Sequence, residues 1–340
     1  MIPAGPTPLQ PAPLQPPRWQ QLWREAVRDP RELLGLLGLE SAALERSASD
    51  AAVQFPLRVP RGFIDRMRHG DPHDPLLRQV LPLDEELRPM PGFSLDAVGD
   101  AAAKAADGVI RKYRGRALLV ATGSCAVNCR YCFRRHFPYA DETAAAAGWR
   151  GAVDLIRTDA SIDEVILSGG DPWSLSTAKL AELTDALATV PHLKRLRVHT
   201  RLPVVLPERV DDALLGWLDR LPWPVTVVLH ANHANEFDDG VDTALARLRA
   251  SGATLLNQAV LLRGVNDSVE ALAALSERGH EAGVLPYYLH QLDRVQGAGH
   301  FEVPDAEARR LHAALAARLS GYLVPRLVRE VAGDPGKRPL

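Results

Sequence analysis

The sequence predicts an α/β fold built on a parallel sheet, preceded by a mixed, mainly helical region. Three observations carry this: six short apolar runs between residues 117 and 289, amphipathic segments between them, and polar residues gathered just after each run. With 340 residues, and roughly 150 residues per domain, one large domain with satellites is expected. Apolar residues make up 46% and charged residues 24%, which excludes a collagen-like, wholly disordered or disulfide-stapled chain. The 40 basic residues nearly balance the 42 acidic ones, so no field invites nucleic acid or an anionic membrane. No apolar run approaches the roughly 18 residues that span a bilayer, and the N-terminus lacks a signal peptide's basic start and apolar centre. A cytoplasmic location is expected.

Residues 1–17 hold seven prolines and read as an extended, disordered tail. From 18 to 105 helical spacing at Trp23, Leu33, Leu34 and Leu37 gives way to Pro- and Asp-rich connectors such as 70–75, which suggests a helical cap. The core then alternates. Strands are expected at 117–121, 164–167, 196–199, 225–230, 255–261 and 284–289. One helix opens at Ser176, with Leu180, Leu183, Leu187 and Val190 on one face; another follows Asp267, with Val269, Leu272 and Leu275. Six βα units imply right-handed crossovers, in either a doubly wound sheet or a barrel of six or more strands. In both, the site lies at the C-terminal strand ends. The polar residues fall there: the cysteines, then 168–171, His199 to Arg201, His230 to His233, Asn257 and Gln258 within the fifth run, and His290, Gln291 and Asp293 after the sixth. One such residue is ordinarily a cap or loop; six together point to an active site.

All three cysteines, Cys125, Cys129 and Cys132, share one C-x3-C-x2-C window on the loop after the first strand. Three soft thiolates suit an iron–sulfur cluster or zinc, the latter with His136 as a fourth ligand. Structural zinc usually comes as paired short spacings across a longer loop. Ser168-Gly169-Gly170-Asp171-Pro172 alone would read as a tight turn. Lysine occurs five times, at 104, 112, 179, 194 and 337, so chemistry needing a primary amine has few candidates.

The cysteine spacing on the first βα loop, followed by the Gly-Gly segment after the second strand, resembles the radical S-adenosylmethionine superfamily. Five further segments, at 132–137, 200–207, 230–236, 257–267 and 286–301, narrow the resemblance to the lysine 2,3-aminomutase family over roughly residues 55 to 340. That resemblance implies a partial (β/α)6 barrel at 106–300, an N-terminal helical embellishment at 18–105, and a C-terminal helix and tail at 301–340 that closes the site. It implies a [4Fe–4S] cluster on Cys125, Cys129 and Cys132. S-adenosylmethionine would lie against Ser168, Gly169, Gly170, Asp171, His230 and Gln258, the glycines letting the backbone approach it. Pyridoxal 5′-phosphate would join Lys337 as a Schiff base, its phosphate near Lys112, Tyr113 and Arg116. Without the resemblance, a lysine so near a terminus reads as a solvated tail residue.

By family position Arg134 is the partner of the substrate carboxylate, while Asp293 and Glu330 hold the distal ammonium. The family's usual residue at the last position is Asp, one methylene shorter. The implied activity is that of an isomerase, an intramolecular amino-group transfer converting L-lysine to β-lysine with no net oxidation, with flavodoxin or ferredoxin as reductant. Catabolic members carry a C-terminal extension with further cysteines that bind zinc. This chain has no cysteine beyond Cys132 and more closely resembles the shorter bacterial branch that makes (R)-β-lysine for elongation factor P and its lysine ligase. A catabolic lysine or glutamate aminomutase is the neighbouring reading, and a non-catalytic zinc-stabilised module the remote one.

Overall fold

A computed structural model of the chain describes residues 16–139, 143–144 and 149–340. Residues 1–15 of the Pro-rich segment lie outside them. The N-terminal region holds α1 (Arg18–Arg24), α2 (Pro30–Leu36), α3 (Ala42–Gln54), α4 (Arg61–Ile64) and α5 (Pro75–Arg78). Their starts are local chemistry. Asp29 accepts from Arg31 N ahead of Pro30, and Asp74 accepts from Leu76 N and Leu77 N ahead of Pro75, so each carboxylate caps a helix whose first residue has no N–H to satisfy.

After β1 (Lys104–Ala106) and β2 (Val109–Ile110), strand and helix alternate: β3 (Arg116–Thr122), α6 (Arg150–Thr158), β4 (Glu164–Gly169), α7 (Thr177–Ala188), β5 (Arg195–Thr200), α8 (Leu202–Val205), α9 (Asp212–Leu218), β6 (Val225–Leu229), α10 (Asp239–Ala250), β7 (Thr254–Val260), α11 (Val269–Glu281) and β8 (Leu285–His290). The chain then forms α12 (Asp305–Arg318), β9 (Arg326–Arg329) and β10 (Arg338–Pro339). All six expected strands form, with ends displaced by one or two residues. Ser176 and Ser268 cap α7 and α11 through Lys179 N and Ala271 N.

The ten strands make one sheet in the order β1 to β10. From β3 to β9 every neighbouring pair is parallel, while β1, β2 and β10 add antiparallel edges. Strand order that never reverses is the winding of a barrel, whereas a doubly wound sheet reverses at a switch point. Among the described residues β1 and β10 do not pair, so the barrel is partial. The helices bury their apolar stripes against the sheet: Leu180, Leu183 and Leu187 of α7, and Leu272 and Leu275 of α11, each no more than 6% exposed. Each such side chain contributes about 1.5–3 kcal/mol relative to exposure.

One element differs from expectation. Residues 301–340 were to supply a helix and a tail, yet β9 extends the parallel sheet beside β8, and β10 folds back on it with Arg338 opposite Arg329 and Pro339 opposite Val328. Leu340 N donates to Leu327 O at 3.2 Å. Backbone pairing thus fixes the segment that carries Lys337.

Candidate active site

At the C-terminal strand ends lies a cavity of about 460 Å³, lined by the three cysteines, by Ser168 to Asp171, and by Arg134, Asp293, Glu330 and Lys337. Its polar groups form two clusters. One surrounds the cysteine loop and the other the C-terminal lysine. An unbroken run of polar contacts joins them. Arg134 donates to Ser168 Oγ at 3.1 Å and to Asp100 Oδ2 at 2.7 Å; Lys112 pairs with Asp100 at 2.7 Å and with Glu330 at 3.4 Å; Glu330 accepts from Lys337 Nζ at 2.8 Å.

The cysteine loop leaves β3 just after a register shift between Val120 and Thr122, an irregularity that re-aims the backbone at a strand end. The N-terminal region grips it. Trp23 Nε1 and an Arg58 guanidinium nitrogen each donate to Cys125 O at 3.2 Å, Asn128 N donates to Arg58 O at 3.0 Å, and Arg130 N donates to Gln79 O at 2.9 Å. Arg130 and Arg135 converge on buried Glu86, with contacts of 2.6–2.7 Å. The carboxylate thereby closes two charged pairs away from water, an arrangement sustained only by good geometry.

Burial and the neighbouring Cys132 push the Cys125 thiol up, and burial with Cys129 pushes Cys132 up to about 11. Thiols held protonated in this way, as at Cys125 and Cys132, are donors that a multivalent cation stabilises as thiolates. Among the described residues no three His, Cys, Asp or Glu side chains converge on a single ion, and His136 Nε2 lies 3.0 Å from Gln296 O. The three cysteines share the cavity with Ser168, Gly169 and Gly170, and soft thiolates on one short loop are the donors an iron–sulfur cluster takes. The residues present fit the cluster.

The Gly-Gly segment is close-packed. Gly169 has φ +118°, and a Cβ there would sit 2.5 Å from Thr122 O; at Gly170 it would sit 2.5 Å from Ser124 O. Gly170 N and Asp171 N donate to these same carbonyls at 2.7 and 2.8 Å. The glycines therefore dock β4 against the cysteine loop, a requirement beyond the expected approach to a cofactor. Asp171, expected to meet S-adenosylmethionine, is occupied otherwise. Its Oδ1 accepts from Trp173 N and Thr200 Oγ1, and its Oδ2 from Arg201 N and Leu202 N, all within 3.1 Å. Two oxygens with two donors each have their lone pairs committed, so Asp171 acts by fixing the turn after β5. The dipeptide Asp171-Pro172 already carried that signal, since it caps the 3₁₀ turn Pro172–Ser174.

His230 lies under the cysteine loop, its Nε2 2.9 Å from Tyr131 OH and its ring stacked on Tyr131 with centroids 5.5 Å apart. Burial and Arg201 push it down to about 3, which keeps it neutral. Gln258 lines the cavity with Val260 because successive side chains of β7 point to opposite faces of the sheet, which turns Asn257 away. Asn257 instead brackets Ala231, accepting from its N and donating to its O.

The second cluster surrounds Lys337, which lines the cavity with Nζ 5.7 Å from the centre of the Tyr288 ring. Glu330 accepts from Tyr113 OH at 2.7 Å and from Lys337. Burial works against its ionisation, but Lys337, Tyr113 and Lys112 hold it below the ordinary carboxylate range. Glu330 is thus paired with the lysine, where sequence position assigned it to a substrate ammonium. Asp293 differs: no hydrogen bond to its carboxylate is formed among the described residues, and burial, opposed by Lys337 and reinforced by Glu330, pushes it up to about 7. Arg116 stacks over Tyr113 at 4.6 Å and keeps a buried Nε without a partner among the described residues. An unpaired guanidinium N–H beside Lys112 and Tyr113 fits an anionic phosphate.

His199 and His290 also line the cavity, each with a buried, unpartnered Nε2 and each pushed well down by burial. Their positions at strand ends were visible in the sequence, but nothing there gave them a role.

No protein-family profile matches the chain. It is 48% identical over 322 residues to the L-lysine 2,3-aminomutase of Escherichia coli (strain K12), covering 95% of this chain and 94% of that protein. The Haemophilus influenzae L-lysine 2,3-aminomutase is 45% identical over 97% of both chains. The Clostridium subterminale L-lysine 2,3-aminomutase is 31% identical, over 95% of this chain and 77% of its own. Among solved structures, a radical SAM methyltransferase from Sphaerobacter thermophilus overlaps 65% of this chain and 68% of its own at 19% identity, with a TM-score of 0.42. The chain belongs to the lysine 2,3-aminomutase family, a family of isomerases.

Proposed function

We propose that the protein converts L-lysine to (R)-β-lysine and supplies it, in the cytoplasm, for the modification of elongation factor P. The observation that carries this is the single cavity shared by Cys125, Cys129, Cys132 and Lys337. Identity of 48% and 45% to the E. coli and H. influenzae relatives, against 31% to the clostridial one, supports the elongation-factor branch.

The cysteines would hold a [4Fe–4S] cluster, and Ser168, Gly169, Gly170, His230 and Gln258 would surround S-adenosylmethionine. Bound there with a flavodoxin or ferredoxin as reductant, they would supply hydrogen-abstraction chemistry, and pyridoxal 5′-phosphate would supply an electron-delocalising ring. Lys337 offers the anchoring amine, and Lys112, Tyr113 and Arg116 the phosphate contacts. Arg134 orients the lysine carboxylate while Asp293, joined by Glu330 once Lys337 moves, receives the distal ammonium. The reaction exchanges an amino group on Cα for a hydrogen on Cβ, so atoms and electrons balance within one substrate. The chain's own task is orientation and exclusion of water around the reacting carbons. Neutral His199, His230 and His290 line the cavity without adding charge there.

Anaerobic incubation of the reconstituted protein with L-lysine, S-adenosylmethionine, pyridoxal phosphate and reductant, followed by chiral chromatography with mass detection, tests this. β-Lysine with an excess of the R form is expected. Its absence from protein shown to carry both cluster and pyridoxal would overturn the substrate assignment.

A further inference from the structure

Arg201 follows β5 directly, is 6% exposed, and has no part in the function proposed above. Its guanidinium bridges four groups. On one side it donates to Cys129 Sγ at 2.8 Å and to Tyr131 OH at 2.7 Å; on the other it donates to Gln79 Oε1 at 2.8 Å and Glu236 Oε2 at 2.9 Å. The backbone is fixed too, since Arg201 N donates to Asp171 Oδ2 at 2.7 Å.

The partners are themselves held. Glu236 Oε1 accepts from Asn232 N, His233 N and Gln79 Nε2 at 2.7–3.1 Å, and Asn232 Nδ2 donates to Gln79 Oε1 at 2.9 Å. A planar fork clamped along one edge presents its other edge in a set direction, which a point-charge ammonium cannot do. That direction is the sulfur of Cys129. The cost of burying the guanidinium is offset by this geometry, in which both terminal nitrogens are engaged and one of them faces the sulfur.

We propose that Arg201 is a positioning residue of the iron–sulfur cluster, orienting the Cys129 thiolate and raising the cluster's reduction potential through an N–H···S bond. The inference rests on the cluster assignment made above. One-electron reduction adds negative charge to the irons and their thiolates, and a cationic donor at a ligand sulfur stabilises the reduced form more than the oxidised one. Glu236, held on the far edge, balances the buried charge without touching the sulfur.

The test is a potentiometric titration of the cluster-loaded protein followed by electron paramagnetic resonance, with wild type beside Arg201→Lys, Arg201→Gln and the paired Arg201→Gln/Glu236→Gln protein. The midpoint is expected to move to more negative potential in both Gln-bearing proteins and to be partly restored by Lys. An unchanged midpoint in a fully loaded Arg201→Gln or paired protein would overturn the proposal. In case those variants do not fold, pulsed resonance on reduced wild-type protein labelled with ¹⁵N-arginine reads the contact directly. A ¹⁵N coupling to the cluster is expected, and its absence would overturn the proposal without any substitution. Wild-type protein that yields no [4Fe–4S] signal at all would instead overturn the cluster assignment, and this inference with it.

Discussion

The two clusters of the cavity are built differently. Around the cysteine loop the carboxylates are fully engaged: Glu86 holds two arginines, Asp171 takes four donors, and Arg201 bridges a sulfur, a phenol, an amide and a carboxylate, leaving only nitrogens such as Arg135 Nε and Arg201 Nε buried without partners among the described residues. Around Lys337 the groups have unmet capacity. Arg116 Nε, His199 Nε2 and His290 Nε2 are buried without partners among the described residues, and Asp293 is held near neutrality. Buried polar atoms without partners cost about 1–3 kcal/mol each. The contrast teaches which half is set before anything binds and which half is completed by what it receives.

The sharpest separation of the halves comes from removing one anchor from each. Lys337→Ala should abolish β-lysine formation while leaving iron and sulfide content at wild-type stoichiometry; Cys125→Ala should abolish it while leaving pyridoxal absorbance intact. Wild-type turnover in either protein would break the division. Next in size is Glu86→Ala, which leaves Arg130 and Arg135 buried without their shared carboxylate and should cost about 3–5 kcal/mol in chemical denaturation. Removing the half-exposed Glu32 partner of Arg61, a pair on the surface, should cost less than about 1 kcal/mol.

Gly170→Ala sharpens the comparison further. Its Cβ would meet the Ser124 carbonyl at 2.5 Å, so a loss of about 1–3 kcal/mol is expected, together with weaker iron retention, because the cysteine loop must shift. Gly252→Ala is the control. Unlike Gly170 it has positive φ, yet open space surrounds its Cβ, so backbone strain alone should leave iron content unchanged.

The smallest effect belongs to the receiving half. Asp293 ionises at about 7 against an ordinary 3.8, so the folded protein holds a proton there that the unfolded chain has released. Its contribution therefore favours folding at low pH and is lost as pH rises from about 4 to 7. Binding runs the other way, because an ammonium needs the carboxylate. Lysine affinity, read by isothermal titration, should tighten by up to about tenfold per pH unit below 7 and level off above it. Asp293→Asn should flatten both slopes, and an unaltered affinity profile in that protein would remove Asp293 from substrate binding.

Much of this was legible in the sequence, for reasons that differ by region. The six core strands announce themselves because each is an apolar run bounded by turn residues. The strands β1, β2, β9 and β10 do not, being two to four residues long; β9 reads Arg-Leu-Val-Arg, and β10 reads Arg-Pro, whose charge and proline suit the sheet edge it forms. The cysteines and the Gly-Gly segment carry their chemistry in their spacing. The clamp of Gln79, Arg201, Asn232 and Glu236 cannot be read that way, since its members lie up to 157 residues apart. Lys337 sits between these cases: its identity was visible, but its location depends on Arg338 pairing with Arg329.

Because strand order equals chain order, the sheet grows from one edge, each new strand meeting a neighbour already made as the chain leaves the ribosome at about 5–20 residues per second. The cysteine loop follows the third strand and the lysine precedes the tenth. At those rates Cys125, Cys129 and Cys132 are made roughly ten to forty seconds before Lys337, so the strand that ties the lysine to the cavity is the last part of the site to be synthesised.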